Sequence, residues 1–350
     1  MSDERGAAAR VVVVGDALID ELRTDAGSSE HVGGSALNVA IGMSLLGVPS
    51  TLVAMVGADD DGTRIRDTLS RHRIPLLATA TPFGTGRATS TRVDGEPMYW
   101  FNAAAMHRAL DFGGATGRAL RLASMVVLSG FPFDDEGQVD ALESALAGRN
   151  SIVLIDPNPR LGLIRDLTAF RRNVERVSAR AFLVKFSDED ANLFELPPEV
   201  AVQRLLARGA TNVLATHGAG GASLLRRDGA PISAPIAALP DEVVDTMGAG
   251  DSVLATVSAR LAAIGAAPTE AQWAALLDEA MRVAAATCRE PGALLRMPRR
   301  SSRTVTADVP PSHSHTLPVG TLPALERQPA GQQHVRRGER PPHPGHDLRA

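Results

Sequence analysis

The chain has 350 residues, of which 44% are hydrophobic and 22% charged, a composition typical of a folded globular protein rather than a disordered one. Its formal net charge of −4 gives no reason to expect nucleic acid or an anionic membrane as a partner. The sequence contains neither an apolar membrane span nor the apolar run of a signal peptide. The one cysteine, Cys288, excludes an internal disulfide framework, and we expect a cytoplasmic protein.

From residue 11 to about residue 288, short β-branched runs alternate with amphipathic stretches, which predicts a layered α/β domain with a largely parallel sheet. Most predicted strands are continuously apolar, as expected for strands that helices cover on both faces. The predicted strands are residues 11–14, 51–55, 125–128, 152–155, 182–184 and 213–216. The predicted helices are residues 35–46, 62–72, 250–264 and 270–287.

Residues 86–101 follow a different pattern, because polar and apolar residues alternate on either side of Asp94-Gly95. The Asp-Gly pair supplies the positive φ angles of a tight turn, so a β-hairpin is predicted here. A core built from α/β units does not require such an insertion. We interpret the hairpin as a lid or an oligomer contact, with an antiparallel edge as the alternative.

Residues 245–251, Asp-Thr-Met-Gly-Ala-Gly-Asp, lead directly into a predicted helix. The glycines let backbone amides gather at the helix N-terminus, and such a turn can bind phosphate. A carboxylate at Asp251 in the same turn is costly unless it takes a proton from an attacking hydroxyl. The residues alone leave a second interpretation open, in which Asp251 only complements the helix dipole.

Other nucleotide-binding motifs are absent from the sequence. Lys185 is the only lysine and follows no G-x-x-x-x-G run, which excludes a Walker P-loop. Gly15 after the first predicted strand does not begin a dinucleotide-binding fingerprint. Polar residues nevertheless recur at successive strand ends, where open α/β sheets bind ligands. They are Asp16, the motif at 156–160, the motif at 187–190 and the loop at 216–221.

Two separated motifs resemble the ribokinase-like, or PfkB, family of carbohydrate kinases. The first is Gly-Gly-Ser-Ala-Leu-Asn at residues 33–38 with Val-Gly-Ala-Asp at 56–59, and the second is the highly specific segment 245–251. The resemblance covers about residues 10–293 and is strongest to bacterial fructokinases. It implies a three-layer α/β/α fold with a mostly parallel central sheet and a small β lid at roughly residues 86–112.

The resemblance also implies roles for individual residues. The implied catalytic group comprises the base Asp251 and the anion-hole residues Gly248, Ala249 and Gly250. The implied sugar-binding residues are Asp16, Gly34 and Asn38. The implied nucleotide-binding residues are Thr216, Gly218, Gly221, Lys185 and Ser187. The implied metal-binding residues are Asp245, for a monovalent cation such as K⁺, and Asp190, in the segment where the family has an N-x-x-E motif.

The resemblance implies an ATP-dependent kinase that transfers the γ-phosphate of Mg-ATP to a primary hydroxyl of a sugar such as fructose or a related hexose. A nucleoside kinase of the same family is the alternative enzyme, and a non-catalytic sugar- or nucleotide-binding protein is the alternative from another class. We expect ATP and a small sugar as ligands, Mg²⁺ as cofactor, neither nucleic acid nor membrane as partner, and a homodimer through the β lid.

Residues 294–350 depart from the family pattern. They hold nine of the 23 prolines, five of the nine histidines, and nine arginines against four acidic residues. Without apolar periodicity the segment cannot bury enough surface to offset its ordering entropy, so we expect it to be disordered. The abrupt change of composition near residue 294 indicates a shifted reading frame, with a natural extension as the alternative. A nonfunctional product of a damaged gene is therefore a further alternative to an active enzyme.

Overall fold

The structure is a computed structural model that describes residues 10–24, 27–93 and 96–298. The strands in this part of the chain are β1 Val11–Gly15, β2 Leu18–Thr24, β3 Gly27–Gly33, β4 Ser50–Met55, β5 Leu76–Thr79, β6 Gly86–Val93, β7 Glu96–Phe101, β8 Met125–Ser129, β9 Ile152–Asp156, β10 Leu183–Ser187, β11 Asn212–Thr216, β12 Ala222–Arg226 and β13 Ile232–Ala234. The helices are α1 Ser35–Leu45, α2 Asp60–Arg71, α3 Ala103–Met106, α4 Gly114–Leu122, α5 Glu136–Leu146, α6 Leu167–Ser178, α7 Asp188–Leu193, α8 Pro198–Arg208, α9 Ala249–Ile264 and α10 Glu270–Thr287. None of these helices has the length and apolar character needed to cross a membrane.

The main sheet has nine strands within the described residues, in the order β13-β12-β11-β10-β9-β8-β1-β4-β5. Neighbouring strands from β5 to β11 pair in parallel, and β12 and β13 are added antiparallel. Successive side chains of a strand point to opposite faces. Val11 and Val13 accordingly pack into one hydrophobic core, and Val12 and Val14 into the other. The predicted α/β/α arrangement around a mostly parallel sheet is confirmed.

The small sheet has the order β3-β2-β6-β7. Its β6 and β7 pair antiparallel, as the alternating pattern predicts, while β2 pairs in parallel with β6 and antiparallel with β3. The sequence analysis missed β2 and β3, because β3 is exposed along most of its length and shows no apolar alternation. The predicted turn residues Asp94 and Gly95 lie outside the described residues, and the homodimer through this sheet stays a prediction.

The small sheet is joined to the main domain through a buried corner at Thr85. The carboxylate of Asp59 accepts hydrogen bonds from the Thr85 amide at 2.7 Å and from its hydroxyl at 2.5 Å. Asn102 donates to the Thr85 carbonyl at 2.8 Å. A Cβ added to Gly57 would lie 2.5 Å from the carbonyl carbon of Gly84. The motif at residues 56–59 therefore fixes the position of the small sheet, because only glycine permits this backbone approach.

The segment after α10 packs onto the core. Leu295 is 3% exposed and belongs to the hydrophobic core beside α1 and α9. The amide of Arg296 donates to the Thr287 hydroxyl at 3.1 Å. The predicted domain boundary at residue 293 therefore falls short of these packed residues. The rest of the predicted tail, from residue 299 onward, lies outside the described residues.

Ending the chain after residue 293 is expected to lower the melting temperature by several degrees, whereas ending it after residue 298 leaves the melting temperature unchanged. Only the chain that ends after residue 293 lacks Leu295, and loss of a buried leucine side chain costs about 2–5 kcal/mol. Thermal unfolding of both truncations and of full-length Leu295→Ala measures the effect. Equal melting temperatures for the two truncations would contradict this assignment of the boundary.

Candidate active site

Polar residues at the strand ends lie along one edge of the main sheet. In the strand register, Gly15 lies opposite Ser129 and Ser129 lies opposite Asp156. On the next two strands of the sheet, β10 and β11, Ser187 lies opposite Thr216. Because these strands are parallel, their carboxyl ends meet at the same edge, which is where open α/β sheets bind ligands. The motifs predicted at successive strand ends thus form one continuous surface.

The glycine-rich turn forms the N-terminus of α9 at this edge. Gly248 is the N-cap residue with a φ of 75°, and a Cβ added there would lie 2.0 Å from the carbonyl oxygen of Ala293. Glycine is therefore required at this position. Gly250 and Asp251 belong to the first helical turn, whose amide groups lack acceptors within the helix. The turn can thus bind an anion such as a phosphate group.

The carboxylate of Asp251 is bound from one side by α1. Ser35 donates a hydrogen bond to Oδ1 at 2.6 Å, and Asn38 donates to Oδ2 at 2.8 Å. Burial raises the pKa of Asp251, and these two hydrogen bonds oppose that shift. The Oδ1 atom of Asn38 is buried and accepts no hydrogen bond from any residue that the structure describes. The predicted base and one predicted sugar contact are therefore in direct contact.

Asp16, a second predicted sugar contact, is ion-paired with Arg108. The Nη1 atom of Arg108 lies 3.1 Å from each carboxylate oxygen and 3.1 Å from the Gly130 carbonyl oxygen. Burial raises the pKa of Asp16, and the Arg108 charge opposes the shift. No local sequence signal identifies Arg108, since it is 92 residues away from Asp16 in the chain.

Asp20 of β2 is a further carboxylate at the site that the sequence analysis did not assign. A Cβ added to Gly33 would lie 2.1 Å from Oδ2 of Asp20, and a Cβ added to Gly34 would lie 2.7 Å from the Asp16 carbonyl oxygen. The paired glycines therefore let both acidic residues approach the start of α1. Burial raises the pKa of Asp20 to about 7, against the charge of Arg160.

Lys185 lies directly beneath the glycine-rich turn. Its Nζ atom donates to Oδ2 of Asp156 at 2.8 Å and would lie 3.2 Å from a Cβ added to Gly250. Lys185 and Asp156 are side by side because they follow the paired residues Val184 and Ile155. Lys185 is 5% exposed. Burial alone would lower the pKa of Lys185, but neighbouring carboxylates, Asp156 foremost, raise it.

Ser187 and Asp190 cap the N-terminus of α7. Oδ2 of Asp190 accepts the Ser187 amide at 2.6 Å and the Ser187 hydroxyl. Burial raises the pKa of Asp190 to about 6, against the charge of Lys185. Oδ1 of Asp190 and Oδ1 of Asp156 are both buried and accept no hydrogen bond within the described part of the chain.

Two unpartnered carboxylate oxygens fit a divalent cation. Mg²⁺ is typically bound by one or two carboxylates together with substrate phosphates. The described residues contain no group of three or more acidic, histidine or cysteine side chains that could hold a metal ion by themselves. Asp156 and Asp190 can therefore supply only the protein side of such a site.

The predicted nucleotide loop lies next to this cap. His217, which follows Thr216, bonds through Nδ1 to Oδ1 of Asp188 at 2.9 Å. Gly218 and Gly221 both have positive φ angles. A Cβ added to Gly221 would lie 2.2 Å from the carbonyl oxygen of Ala234. The glycines thus allow a tight loop beside Ser187, and nucleotide binding by this loop stays a prediction.

Asp245 links the glycine-rich turn to the loop after α10. Its carboxylate accepts the Met247 amide at 2.9 Å and the Gly292 amide at 3.0 Å. The Asp245 amide donates to the Cys288 carbonyl at 3.1 Å. Carboxylate and carbonyl oxygens together are suitable ligands for a hard cation. The binding of a monovalent cation here stays a prediction.

A glycine-rich helix turn that can bind phosphate, with a buried carboxylate beside it at the edge of a three-layer α/β/α sheet, is the arrangement expected of a small-molecule kinase. A family model described as "pfkB family carbohydrate kinase" matches residues 8–300. The chain therefore belongs to the pfkB family of carbohydrate kinases, which are phosphotransferases with an alcohol group as acceptor. This confirms the resemblance that the two motifs indicate.

Individual relatives agree with the family assignment. The chain is 30% identical over 311 residues to a fructokinase of Rhizobium leguminosarum bv. trifolii, which covers 85% of this chain and 93% of the relative. Among solved structures, fructokinase with bound ATP from Xylella fastidiosa gives a TM-score of 0.70 at 22% identity, covering 81% of this chain and 93% of that one. A Vibrio cholerae fructokinase double mutant with fructose, ADP and potassium gives 0.69 at 20% identity, covering 82% and 94%. At these identities the two structures support the fold alone.

Lys185→Met is expected to lower the free energy of unfolding by about 3–5 kcal/mol, because it leaves the buried carboxylate of Asp156 without its partner. The double variant Lys185→Met/Asp156→Asn removes both charges and should regain most of this loss. Chemical denaturation at neutral pH compares the two variants with the wild type. A single variant as stable as the wild type would show that the pair does not hold this edge of the sheet.

At pH values above about 7, Asp20→Asn is expected to have a higher melting temperature than the wild type. The unfolded chain ionises Asp20 near its ordinary pKa of 3.8, whereas the folded protein does so at about 7, so its folded state loses stability between these values as the pH rises. The gap between variant and wild type should therefore widen over this interval and then stay constant. Asp67→Asn, at an exposed position on α2, is the control, and the same pH dependence in both variants would refute the assignment.

Proposed function

We propose that the chain transfers the γ-phosphate of Mg-ATP to a primary hydroxyl of a sugar, with fructose or a related hexose as the acceptor. The observation that carries the proposal is the placement of Asp251 in the first turn of α9, hydrogen-bonded to Ser35 and Asn38 of α1. A carboxylate there lies beside a phosphate-binding turn and next to candidate sugar contacts. General-base catalysis requires this proximity of proton acceptor and reacting hydroxyl.

In the proposed reaction, Asp251 accepts the proton of the sugar hydroxyl while the hydroxyl oxygen forms a bond to the γ-phosphorus. The bond from that phosphorus to the bridging oxygen breaks, and ADP leaves with the electron pair. The amides of Gly248, Ala249 and Gly250 face the charge on the transferred group. A divalent cation, when bound, neutralises phosphate charge, and Asp156 and Asp190 are the residues that would hold it.

The sugar side of the site favours an uncharged acceptor. Asp16 and Asp20 offer hydrogen-bond acceptors that suit several sugar hydroxyls. Three carboxylates, counting Asp251, repel a phosphorylated sugar, and the nearby Arg108 is already paired with Asp16. We therefore expect free hexoses to be better substrates than their phosphates.

A nucleoside acceptor is the second candidate. Tyr99 and Trp100 on β7 are 47% and 49% exposed, and aromatic side chains can stack on a nucleobase. An ADP-release assay over fructose, tagatose, ribose, 2-keto-3-deoxygluconate, fructose 6-phosphate and nucleosides separates the candidates. Highest turnover with a free hexose is expected. No turnover of any acceptor by folded protein supplied with Mg-ATP would refute the kinase proposal and favour a non-catalytic binding protein.

Asp251→Asn is expected to lower kcat by at least about 10²-fold, because it keeps the shape of the side chain and removes the proton acceptor. Melting temperature and ATP affinity should change little, since phosphate binding relies on neighbouring amides. Asp278→Asn, at an exposed position on α10, is the matched control. Near-wild-type turnover with a melting temperature lowered by several degrees would show that Asp251 is a structural helix residue.

A further inference from the structure

Two buried serine side chains lie behind the carboxylate of Asp251. Ser129, the last residue of β8, has 0% exposure, and its Oγ lies 2.5 Å from Oγ of Ser35. Ser35, the first residue of α1, lies 2.6 Å from Oδ1 of Asp251. Three polar groups from three separate elements thus form one continuous row of hydrogen bonds. Neither serine is among the residues that the sequence motifs assign to the reaction.

The direction of these hydrogen bonds follows from the chemistry of the groups. An ionised carboxylate can only accept, so Ser35 must give its single hydroxyl proton to Asp251. Ser129 must then donate to the oxygen of Ser35. Each donor in such a row polarises the next one, so the last bond to the carboxylate is stronger than an isolated hydroxyl would provide.

We propose that Ser129 and Ser35 act as a hydroxyl chain that fixes the orientation of the Asp251 carboxylate and stabilises its ionised form. This inference rests on the proposed function, in which Asp251 is the base. Both serines are positioning residues that act through Asp251 and do not themselves react. Their effect is to keep the base ionised and aimed at the acceptor hydroxyl near neutral pH.

The row of hydroxyls is an anchor and does not lead a proton out of the site. Ser129 ends the row inside the sheet, between β1 and β9. A Cβ added to Gly15 would lie 1.8 Å from the carbonyl oxygen of Ser129, so the β1 backbone closely confines that residue. A proton taken from the substrate therefore has no path to solvent through Ser129. The serines instead connect Asp251 to a rigid strand of the main sheet.

The charged groups around Asp251 determine how loss of the Ser35 hydroxyl would change the pKa of Asp251. From neighbouring elements it faces Asp156 of β9, which raises its pKa, and Lys185 of β10, which lowers it. Asp20 of β2 also lies nearby, and because burial raises its pKa to about 7 it gains its negative charge within the same pH range. On α1 the groups that touch it are neutral, Ser35 and Asn38. Removing the Ser35 hydroxyl leaves all these charges in place and withdraws one donor, so the pKa of Asp251 must rise.

The experiment measures kcat and KM from about pH 5 to about pH 9 for Ser35→Ala, Ser129→Ala and a matched control. The control is Ser258→Ala, since Ser258 is a buried serine of α9 whose hydroxyl has no hydrogen-bond partner among residues 10–24, 27–93 and 96–298. In Ser35→Ala, the acidic limb of the kcat–pH profile should shift to higher pH by about one unit, and kcat at pH values below that limb should be about tenfold lower. Activity should recover at high pH, and KM for either substrate should change less than about threefold.

Ser129→Ala should shift the limb in the same direction by a smaller amount, and Ser258→Ala should follow the wild type. The proposal is overturned by a wild-type pH profile in Ser35→Ala. It is equally overturned by a loss of the same fraction of activity at every pH together with a lower melting temperature, which would indicate a purely structural role.

A second measurement does not require turnover. Titration of ¹³C-labelled aspartate carboxyls by NMR, with the Asp251 resonance assigned by its loss in Asp251→Asn, reports the pKa directly. A higher pKa in Ser35→Ala than in the wild type and Ser258→Ala supports the inference, and equal values refute it. If the wild type phosphorylates no acceptor, the proposed function fails, and this titration still decides whether the hydroxyls stabilise the ionised carboxylate.

Discussion

The site depends on the close approach of α1 and α9, which brings Ser35 and Asn38 to Asp251 across 216 and 213 residues of chain. A Cβ added to Gly42 of α1 would lie 2.7 Å from Cβ of Ala255 in α9, so only small residues permit this packing distance. Both helices begin at the same edge of the sheet. Their N-termini therefore converge, and the glycine-rich turn meets Ser35 and Asn38.

The second constraint is the balance of charge at that edge. Acidic side chains of three elements and of the loop after β1 lie there, and burial raises the pKa of Asp16, Asp20, Asp190 and Asp251. Lys185 supplies a compensating positive charge from below. It is the only lysine among 36 basic residues, and the ammonium group occupies a space where a Cβ on Gly250 would already approach to 3.2 Å. A planar guanidinium is larger, which gives a physical reason for lysine at this position.

The small sheet contributes an acidic residue to the candidate site. Its β2 carries Asp20, and its β3 ends at Gly33, immediately before Gly34, the N-cap residue of α1. The bonds of Asp59 and Asn102 to Thr85 fix where β6 leaves the main domain. Movement of this sheet would therefore move the carboxylate of Asp20 relative to the start of α1.

The sequence by itself determined the parallel core, the helices α1, α9 and α10, and the glycine-rich turn, because continuous apolar runs, helical periodicity and glycine are local signals of burial and backbone geometry. The strand-end motifs also predicted that polar side chains gather at one edge of the sheet, and the strand register places them there. Tertiary structure alone decided the contacts of Arg108 and Ser129 and the packing of Leu295. These residues carry no distinctive local pattern, since their partners lie far away in the chain and meet them only when the helices and sheets pack together.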